Sequence, residues 1–285
     1  MNKIKILLLK ILFALILLSN PSYAKNIPPG SGIGDVPANI LILLDKSGSM
    51  SVRMTSGSGF MYPYASAADS NGDVYVGQYW RYGIKKFNYS TAAVDTTFAS
   101  NGTYVGSGRC RSFYPLNMKI HNGYLYVAAY YDNRVFRVNL STGACDWNHS
   151  IRYPRNIAID TGNNILYANG LYGNAVVRNL STNTNISCSW GSSLNSNSRY
   201  GSTAVDSSGN NFYSIHYNRM YRFPINQSTR CPNTGASSVF SWGGSYAFGM
   251  DSHPTDDNVF YLNNYFAHRV EKITLNSSKN NIQSR

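Results

Sequence analysis

A tyrosine-marked segment recurs five times along the chain, and this repetition restricts the folds that the chain can adopt. The marker tyrosines are Tyr75, Tyr126, Tyr167, Tyr213 and Tyr261, at steps of 51, 41, 46 and 48 residues. In each copy an apolar run ends at a turn of Asp, Asn, Gly or Ser type. A strand-like stretch around the tyrosine follows, then a second turn and a third strand-like stretch. A period of about 40 to 50 residues with several short strands is typical of a β-propeller blade.

The composition favours the same architecture. Of the 285 residues, 43% are hydrophobic and only 13% are charged, and the chain contains 23 tyrosines. This excludes wholesale disorder and leaves few strong helix formers. We therefore predict an all-β chain that forms a β-propeller with four short antiparallel strands per blade. Five blades are recognisable, in a total of five or six. The outermost strands are expected in less regular stretches, such as residues 95–98 and 238–242.

The first 24 residues have the pattern of a secretory signal peptide. Lys3 and Lys5 precede an apolar stretch, and Ser22 and Ala24 are the small residues that a signal peptidase inspects. The uninterrupted apolar part has 8 residues, whereas a transmembrane helix needs about 20. We predict a secreted, periplasmic or cell-surface protein without a transmembrane segment after signal removal.

The net charge indicates the class of partner. The formal charge is +12, and removal of the leader with its three lysines leaves +9. A basic exported protein of low charge density is suited to anionic polymers or surfaces. We expect a protein, peptide or anionic polysaccharide ligand and no sequence-specific nucleic acid binding.

The repeats resemble the NHL repeat, in which an apolar run ends in Asp, a "VYV" strand follows, and an "N-x-R-I-x-x-F" strand comes third. Asp69 with Tyr75 and Val76, and Asn133 with Arg134, fit this pattern. The resemblance extends over about residues 62–273 and implies a propeller domain at 62–285. His121 stands where the first-turn Asp is expected.

A second motif lies before the repeats, in a segment that we assign as a linker at residues 25–61. The apolar run at 39–44 ends in Asp45, Ser47 and Ser49. This D-x-S-G-S sequence resembles the start of a von Willebrand factor A domain. The resemblance implies a metal-ion-dependent adhesion site, with oxygen ligands suited to Mg²⁺. Such a domain also needs alternating strands and helices with further Thr and Asp ligands, and we find no such pattern between Met50 and Arg285. The alternatives are a truncated domain, a domain that continues beyond Arg285, or a remnant without a working metal site.

Two sets of side chains recur at fixed positions in the repeat, and a ring of blades would arrange each set in a circle. A basic residue holds the penultimate place of the third strand: Lys86, Arg137, Arg178, Arg222 and Lys272. A tyrosine lies in the turn before that strand: Tyr79, Tyr130, Tyr172, Tyr217 and Tyr265. Arginine pairs well with carboxylate or phosphate, and tyrosine offers a flat contact surface. We predict ligand binding by these circles. The alternative is that both sets serve the packing of the blades.

Four cysteines also recur with the repeat: Cys110, Cys145, Cys188 and Cys231. An even count in an exported chain favours two disulfides. The pairing that we favour is Cys110–Cys145 with Cys188–Cys231, and free thiols are the alternative.

The sequence leaves two main functions open. The pairing of an A-type motif with a propeller resembles surface adhesins such as those at type IV pilus tips, which favours binding or adhesion through a rim or the channel mouth. The alternative is a metal-dependent lyase or hydrolase that uses the central channel, as in the peptide-amidating lyases of NHL type. The five histidines (His121, His149, His216, His253 and His268) fall at different phases of the repeat, and we assign no catalytic residue. A structural module within a longer polypeptide is a third reading.

Overall fold

A computed structural model describes residues 63–78, 83–91, 93–171, 175–189, 202–216, 219–235, 237–241, 247–264 and 269–284. The predicted signal peptide and the A-type motif with Asp45, Ser47 and Ser49 lie outside these residues. The proposed domain limits at residues 24 and 61 therefore stay predictions.

The chain is a five-bladed β-propeller, as the repeat predicts. Each blade is a four-stranded antiparallel sheet whose strands follow one another in sequence order. Blade I contains β1 (Pro63–Ala68), β2 (Val74–Gln78), β3 (Ile84–Phe87) and β4 (Thr103–Tyr104). Blade II contains β5 (Pro115–His121), β6 (Tyr124–Ala129), β7 (Arg134–Asn139) and β8 (Cys145–Ser150). Blade III contains β9 (Pro154–Asp160), β10 (Ile165–Gly170), β11 (Ala175–Asn179) and β12 (Thr184–Ile186).

The last two blades have the same organisation. Blade IV contains β13 (Thr203–Val205), β14 (Asn211–His216), β15 (Arg219–Pro224) and β16 (Ser237–Ser241). Blade V contains β17 (Ala247–Ser252), β18 (Val259–Asn264), β19 (Arg269–Leu275) and β20 (Ile282–Ser284). The described residues include one short 3-10 turn, Gly108–Cys110, and no α-helix. Nowhere in these ranges does a helix have the length and apolarity to cross a bilayer.

The first strand of each blade is the innermost, since it packs against the first strand of the neighbouring blade. We call the rim where these strands begin the top rim and the other the bottom rim. The turns between second and third strands also lie at the top rim. The turns between first and second strands lie at the bottom rim.

One of the two outermost strands expected from the sequence is confirmed. Residues 238–242 overlap β16, but residues 95–98 form a turn, and β4 begins at Thr103. Phe98 is buried and packs edge-on against Tyr75, with the ring centroids 5.3 Å apart. The apolar residue that suggested a strand, Phe98, is therefore apolar because it fills the core.

The hydrophobic cores lie in the spaces between neighbouring blades, which we call wedges. The marker tyrosines are on the second strands, and Tyr75, Tyr126, Tyr167 and Tyr213 are at most 1% exposed. Tyr126 packs with Ile157 of blade III, and Tyr213 packs with Phe260 of blade V. Each of these four markers thus points towards the following blade. Burial of a large tyrosine ring between two blades makes a major contribution to the stability of the fold.

Two disulfides join neighbouring blades, with the predicted pairing. Cys110 follows β4 of blade I and is bonded to Cys145 of blade II, with a Cα–Cα distance of 6.3 Å. Cys188 follows β12 of blade III and is bonded to Cys231 of blade IV, with a Cα–Cα distance of 5.6 Å. Disulfides of this kind are typical of oxidising compartments.

Candidate functional site

The five recurring cations all lie on third strands, but they do not share one face. Lys86, Arg137, Arg222 and Lys272 are each paired directly with the marker tyrosine of their blade. Arg178 is paired with Leu166 instead of Tyr167. Because successive side chains alternate between the faces of a sheet, Arg178 points towards blade II and shares a wedge with Arg137.

Lys86 is held by two carboxylates of its own blade. Its Nζ lies 2.9 Å from Asp73 Oδ2 and 2.8 Å from Asp95 Oδ2. The hydrogen bonds from Lys86 and Thr97 hold the pKa of Asp95 at about 2. Lys86 therefore stays charged and paired within blade I.

Arg137 and Arg178 are buried in the wedge between blades II and III, with 8% and 5% of each residue exposed. Arg137 forms a bidentate pair with Asp146, at 2.7 Å and 2.9 Å, and its guanidinium lies 4.2 Å from the Tyr124 ring centroid. Arg178 stacks on Trp147 at 4.3 Å and donates to Asn185 Oδ1 at 2.7 Å. The contact of Arg178 with Trp147 joins the two blades, whereas Arg137 is held within blade II.

The remaining two cations differ from each other. Arg222 donates to the backbone oxygen of Ser278 at 2.9 Å and so links blade IV to blade V. Lys272 is exposed. Four of the five cations thus have partners within the protein. Ligand binding by this circle stays a prediction.

Of the five turn tyrosines, Tyr130 lies in the described ranges. The positions of Tyr79, Tyr172, Tyr217 and Tyr265 fall outside them. Tyr130 begins the turn between β6 and β7 at the top rim, and its ring centroid is 5.1 Å from that of Tyr131 and 5.0 Å from that of Tyr153. The structure therefore places one predicted collar residue within an aromatic cluster.

This cluster extends over the top rim from blade II to blade III. Tyr114 stacks on Tyr131 at 5.2 Å, and the Arg155 guanidinium lies 5.0 Å from the Tyr130 ring. Tyr131 is 49% exposed. Arg152 is also exposed and lies 5.6 Å from the Tyr153 ring. We call these residues together the rim surface: Tyr114, Tyr130, Tyr131, Tyr153, Arg152 and Arg155.

Hydrogen bonds from one turn hold the rim surface in place. The carboxylate of Asp132 accepts from the backbone N–H of Phe113 at 2.9 Å, and the side chain of Asn133 accepts from the backbone N–H of Tyr153 at 2.8 Å. Tyr114 and Tyr153 have φ values of 55° and 49°, a conformation that non-glycine residues adopt at a cost. The turn between β6 and β7 thus fixes the chain just before the innermost strands of blades II and III.

A close backbone approach completes this support. A Cβ at Gly170, the last residue of β10, would lie 2.3 Å from the carbonyl oxygen of Arg152. Glycine is therefore required there for the chain before β9 to pass so close. The rim surface is consequently built on tightly constrained backbone.

Of the six residues of the rim surface, the prediction of a tyrosine collar included Tyr130 alone. Tyr114 and Tyr153 directly precede the first strand of their blades, and so do Tyr62 and Tyr246 in the sequence. The signal was present as a Tyr-Pro dipeptide before β1, β5 and β9. The proline of this dipeptide begins the first three repeats, and the tyrosine before it recurs with the same spacing.

The two rims differ in charge. Arg109, Arg111, Arg152 and Arg155 lie in the connections to β5 and β9 or at the start of β9, at the top rim. Six aspartates lie in turns between first and second strands or at their borders, at the bottom rim: Asp69, Asp73, Asp160, Asp206, Asp256 and Asp257. Each rim also carries the opposite charge: Asp132 lies 3.7 Å from Arg111 at the top rim, and Lys86 and Lys279 pair with Asp73, Asp206 and Asp257 at the bottom rim. The arginines of the top rim are the groups there that can attract an anionic partner.

The histidines do not form a metal centre in the part of the chain that is described. His121 bonds Asn164 at 2.7 Å near the bottom rim, whereas His149 lies on β8 and His216 at the end of β14. His253 occupies a turn, where its Nδ1 accepts from the backbone N–H of Asp256 at 3.1 Å. His268 is outside the described ranges. Among described residues no group of three His, Cys, Asp or Glu has metal-binding geometry.

Comparison with known proteins supports the fold. No protein-family model matches the chain, and no curated protein matches it. A solved structure of hydrazine synthase from Kuenenia stuttgartiensis is similar over 75% of this chain and 64% of that one, with 13% identity and a TM-score of 0.54. This chain thus spans less than two thirds of that protein's length.

A chain of the nidogen/laminin complex is similar over 80% of this chain and 82% of that one, with 11% identity and a TM-score of 0.56. At such low identities the likeness extends to the fold alone. This chain is therefore a five-bladed β-propeller whose architecture is similar to that of both proteins.

Proposed function

We propose that this chain is an exported binding protein that recognises an anionic partner through the rim surface. The partner is a protein, peptide or glycan that carries carboxylate or phosphate groups. The main observation behind this proposal is the tyrosine cluster of blades II and III, with the guanidinium groups of Arg152 and Arg155 near its rings.

The chemistry of the rim surface supports this assignment. Tyrosine supplies rigid contact area at low entropic cost, and guanidinium groups pair with carboxylate or phosphate in a bidentate manner. Support of the backbone by Asp132 and Asn133 reduces the ordering that binding requires. The top-rim arginines, Arg152 and Arg155 among them, attract an anionic partner to this side.

Export is supported by the leader pattern and by the two disulfides. The NHL-like repeats and the A-type motif are the basis for proposing adhesion as the biological setting. Binding of Mg²⁺ by Asp45, Ser47 and Ser49 stays a prediction. The nidogen/laminin structure is that of a protein complex, which is compatible with a propeller that binds another protein.

Binding to immobilised heparin and to poly-glutamate, with neutral dextran as the reference, tests the proposal. We expect the purified chain to bind at least one polyanion, with an affinity that falls as salt rises. Arg152→Gln, Arg155→Gln and Tyr131→Ala should each weaken binding about tenfold, a typical loss for a contact residue in a binding site. Arg230→Gln is the matched control, because it removes an equal charge from an exposed site near the bottom rim. Equal losses for Arg230→Gln and Arg155→Gln would contradict the proposal.

A further inference from the structure

A small cavity opens at the bottom rim between blades II and III, and we call it the bottom pocket. Its volume is about 100 Å³, which is room for about three water molecules at a share of roughly 30 Å³ each. Polar side chains of both blades line it: His121, Asn122, Tyr126, Arg137, Asn164 and Ser181. Asn122 and Ser181 are exposed, whereas Tyr126 and Arg137 are buried. The pocket therefore has a mouth at the surface and a floor inside the wedge.

Hydrogen bonds between the two blades hold the walls of the bottom pocket. Asn164 lies in the turn between β9 and β10, and its Oδ1 accepts from Asn122 Nδ2 at 2.9 Å. The same oxygen lies 2.7 Å from Nε2 of His121, at the end of β5. On the other side, Asn179 Oδ1 accepts from the backbone N–H of Ser181 at 2.9 Å. The walls are thus fixed before a ligand arrives, which reduces the ordering that binding requires.

The floor of the pocket presents hydrogen-bond donors. Arg137 donates from Nε and Nη2 to the carboxylate of Asp146 at 2.7 Å and 2.9 Å, and it also hydrogen-bonds to Tyr126. A guanidinium has more N–H donors than these bonds use, and it has no acceptor. Because the Tyr126 oxygen accepts from Arg137, its own O–H is left as a donor. Donors next to a positive charge are the chemical complement of an oxyanion.

The wedge above this floor contains more buried positive charge than negative charge. Arg137 and Arg178 are 8% and 5% exposed. Arg178 donates to oxygens of Asn185 and Asn183, which are uncharged. In the described part of the chain, Asp146 is the one carboxylate that either guanidinium contacts. Burial and the charge of Arg137 lower the pKa of Arg178. Since a buried charge is costly without a counter-charge, a bound anion would stabilise this wedge.

We propose that the bottom pocket binds one small oxyanion, either inorganic phosphate or the phosphate or carboxylate group of a larger ligand. One oxygen of the anion accepts from the Tyr126 hydroxyl and from Arg137, and another accepts from the Ser181 hydroxyl at the mouth. The volume admits a single group of this size, so the rest of a larger ligand stays outside. The pocket and the rim surface lie at opposite rims, and this site is therefore additional to the proposed function.

NMR titration of the purified full chain with sodium phosphate at pH 7 and constant ionic strength, with sodium chloride as the reference, tests the assignment. We expect the imidazole signals of His121, which lines the pocket, to shift and to saturate at millimolar phosphate. Those of His253, in the turn between β17 and β18, should not follow this curve. The same titration with chloride should leave the His121 signals nearly unchanged.

Two further probes identify the source of the oxyanion. Acetate tests for a carboxylate group, and saturation by acetate or by phosphate assigns the site to the class of that anion. O-phosphoserine tests for a phosphate group on a larger ligand. Saturation by phosphate but not by O-phosphoserine assigns the site to the free ion. Saturation by none of these probes overturns the inference.

Two substitutions remove single donors while the buried charges stay in place. Tyr126→Phe deletes the hydroxyl of the floor and retains the ring, and Ser181→Ala deletes the hydroxyl of the mouth. Each should weaken phosphate binding about tenfold, since loss of a hydrogen bond to a charged group typically costs about that factor. Thermal unfolding without phosphate checks that both variants fold, and Ser181→Ala should have the midpoint of the unchanged chain because Ser181 is exposed.

Matched controls remove the same groups elsewhere. Tyr75→Phe deletes the hydroxyl of the marker tyrosine of blade I, which lies 3.4 Å from Asp69. Ser141 is the equivalent of Ser181 in blade II, since its backbone N–H also donates to an asparagine side chain two residues earlier. Tyr75→Phe and Ser141→Ala should both leave phosphate binding unchanged.

A general effect of salt would contradict the inference. Equal losses for Tyr126→Phe and Tyr75→Phe would show such an effect, and so would shifts at His121 and His253 that rise together without saturation. A crystal structure grown in phosphate with water alone in the bottom pocket would also overturn the inference. The polyanion experiment is independent, because its variants lie outside this pocket.

Discussion

The Nζ of Lys119 lies 2.6 Å from Oδ2 of Asp251 and joins two blades that are not neighbours in the ring. Lys119 is on β5 of blade II and Asp251 on β17 of blade V, so blade I lies between them. Both residues are paired with the marker tyrosine of their blade on the innermost strand. The corresponding residues of blades I, III and IV are all alanines: Ala67, Ala158 and Ala204. The ion pair thus bridges the centre of the propeller where the other blades carry small side chains.

We expect this ion pair to stabilise the closed ring modestly. Asp251 is 59% exposed in its side chain, so solvent screens the attraction. Lys119→Met and Asp251→Asn should each lower the free energy of unfolding by about 0.5 to 1 kcal/mol, with a favourable coupling in the double-mutant cycle. Urea unfolding at low and high salt measures both terms. Lys85→Met, on β3 of blade I, is a suitable control, and a coupling energy of zero at low salt would refute the expectation.

The disulfide between Cys188 and Cys231 should contribute more than the ion pair. It closes a segment of 43 residues and fastens blade III to blade IV. In the chain-entropy account a loop of this length corresponds to about 4 kcal/mol. Replacement of both cysteines by serine should therefore lower the free energy of unfolding by about that amount. Guanidinium unfolding with both disulfides intact, and again in the variant, measures the difference.

The Cys110–Cys145 pair offers a comparison within the same chain, since it closes 35 residues between blades I and II. Its removal should have nearly the same effect, because loop entropy grows only slowly with length. A midpoint unchanged by removal of either disulfide would show that strain or residual structure in the unfolded chain cancels the entropic term.

The sequence predicted the propeller because the repeat reports on buried second strands. The marker tyrosines are fully or largely buried, so their spacing follows the blades closely. Outermost strands were harder to predict, since they have one partner strand and fewer buried positions. Residues 95–98 illustrate this difficulty. Phe98 suggested a strand because it is apolar, but it lies in a turn and its ring packs in the core against Tyr75.

Alignment of the repeats was also limited by variable turn length. In the sequence, Asp251 matches the turn aspartates of the other units, such as Asp69. In the structure, Asp251 lies two residues earlier on the innermost strand, and His253 accepts the hydrogen bonds of the turn. Arg178 is displaced by one residue from the position of the other cations, since it is paired with Leu166 and not with Tyr167. A one-residue shift, such as that of Arg178, moves a side chain to the other face of a blade, and hence a circle of cations could not be derived from spacing.

Acid should weaken the network around Lys86. The pKa of Asp95 is held at about 2, mainly by the hydrogen bond from Lys86, and the pKa of Asp73 is also lowered. A lowered carboxylate pKa adds stability above the unfolded value near 4, and this stability is lost as pH falls through the folded value. We expect the free energy of unfolding to fall by about 1 kcal/mol between pH 4 and pH 2, after allowance for solvent screening. Lys86→Met should remove most of this decrease in urea titrations. An identical acid profile in Lys86→Met would contradict the assignment.

His216 should produce a separate decrease of stability at higher pH. Burial lowers its pKa to about 4, whereas the unfolded chain has a histidine pKa near 6.5. Between these values the unfolded state binds the proton and the folded state does not, so the free energy of unfolding falls as pH falls from 6.5 to 4. The shift corresponds to at most about 3 kcal/mol. His216→Asn removes the titrating group, and the pH profile of the variant should be correspondingly flatter in this range.

The profile of His216→Asn must be compared with that of His149→Asn, because burial and the charge of Arg178 also lower the pKa of His149. Each variant isolates the contribution of one histidine, since the other still titrates. His216 lies beside Ser214 at the end of β14, while His149 stacks on Trp147 in the wedge between blades II and III. Direct titration of the imidazole carbons by NMR decides the matter, and a His216 pKa near 6.5 in the folded protein would rule out a buried neutral imidazole at this position.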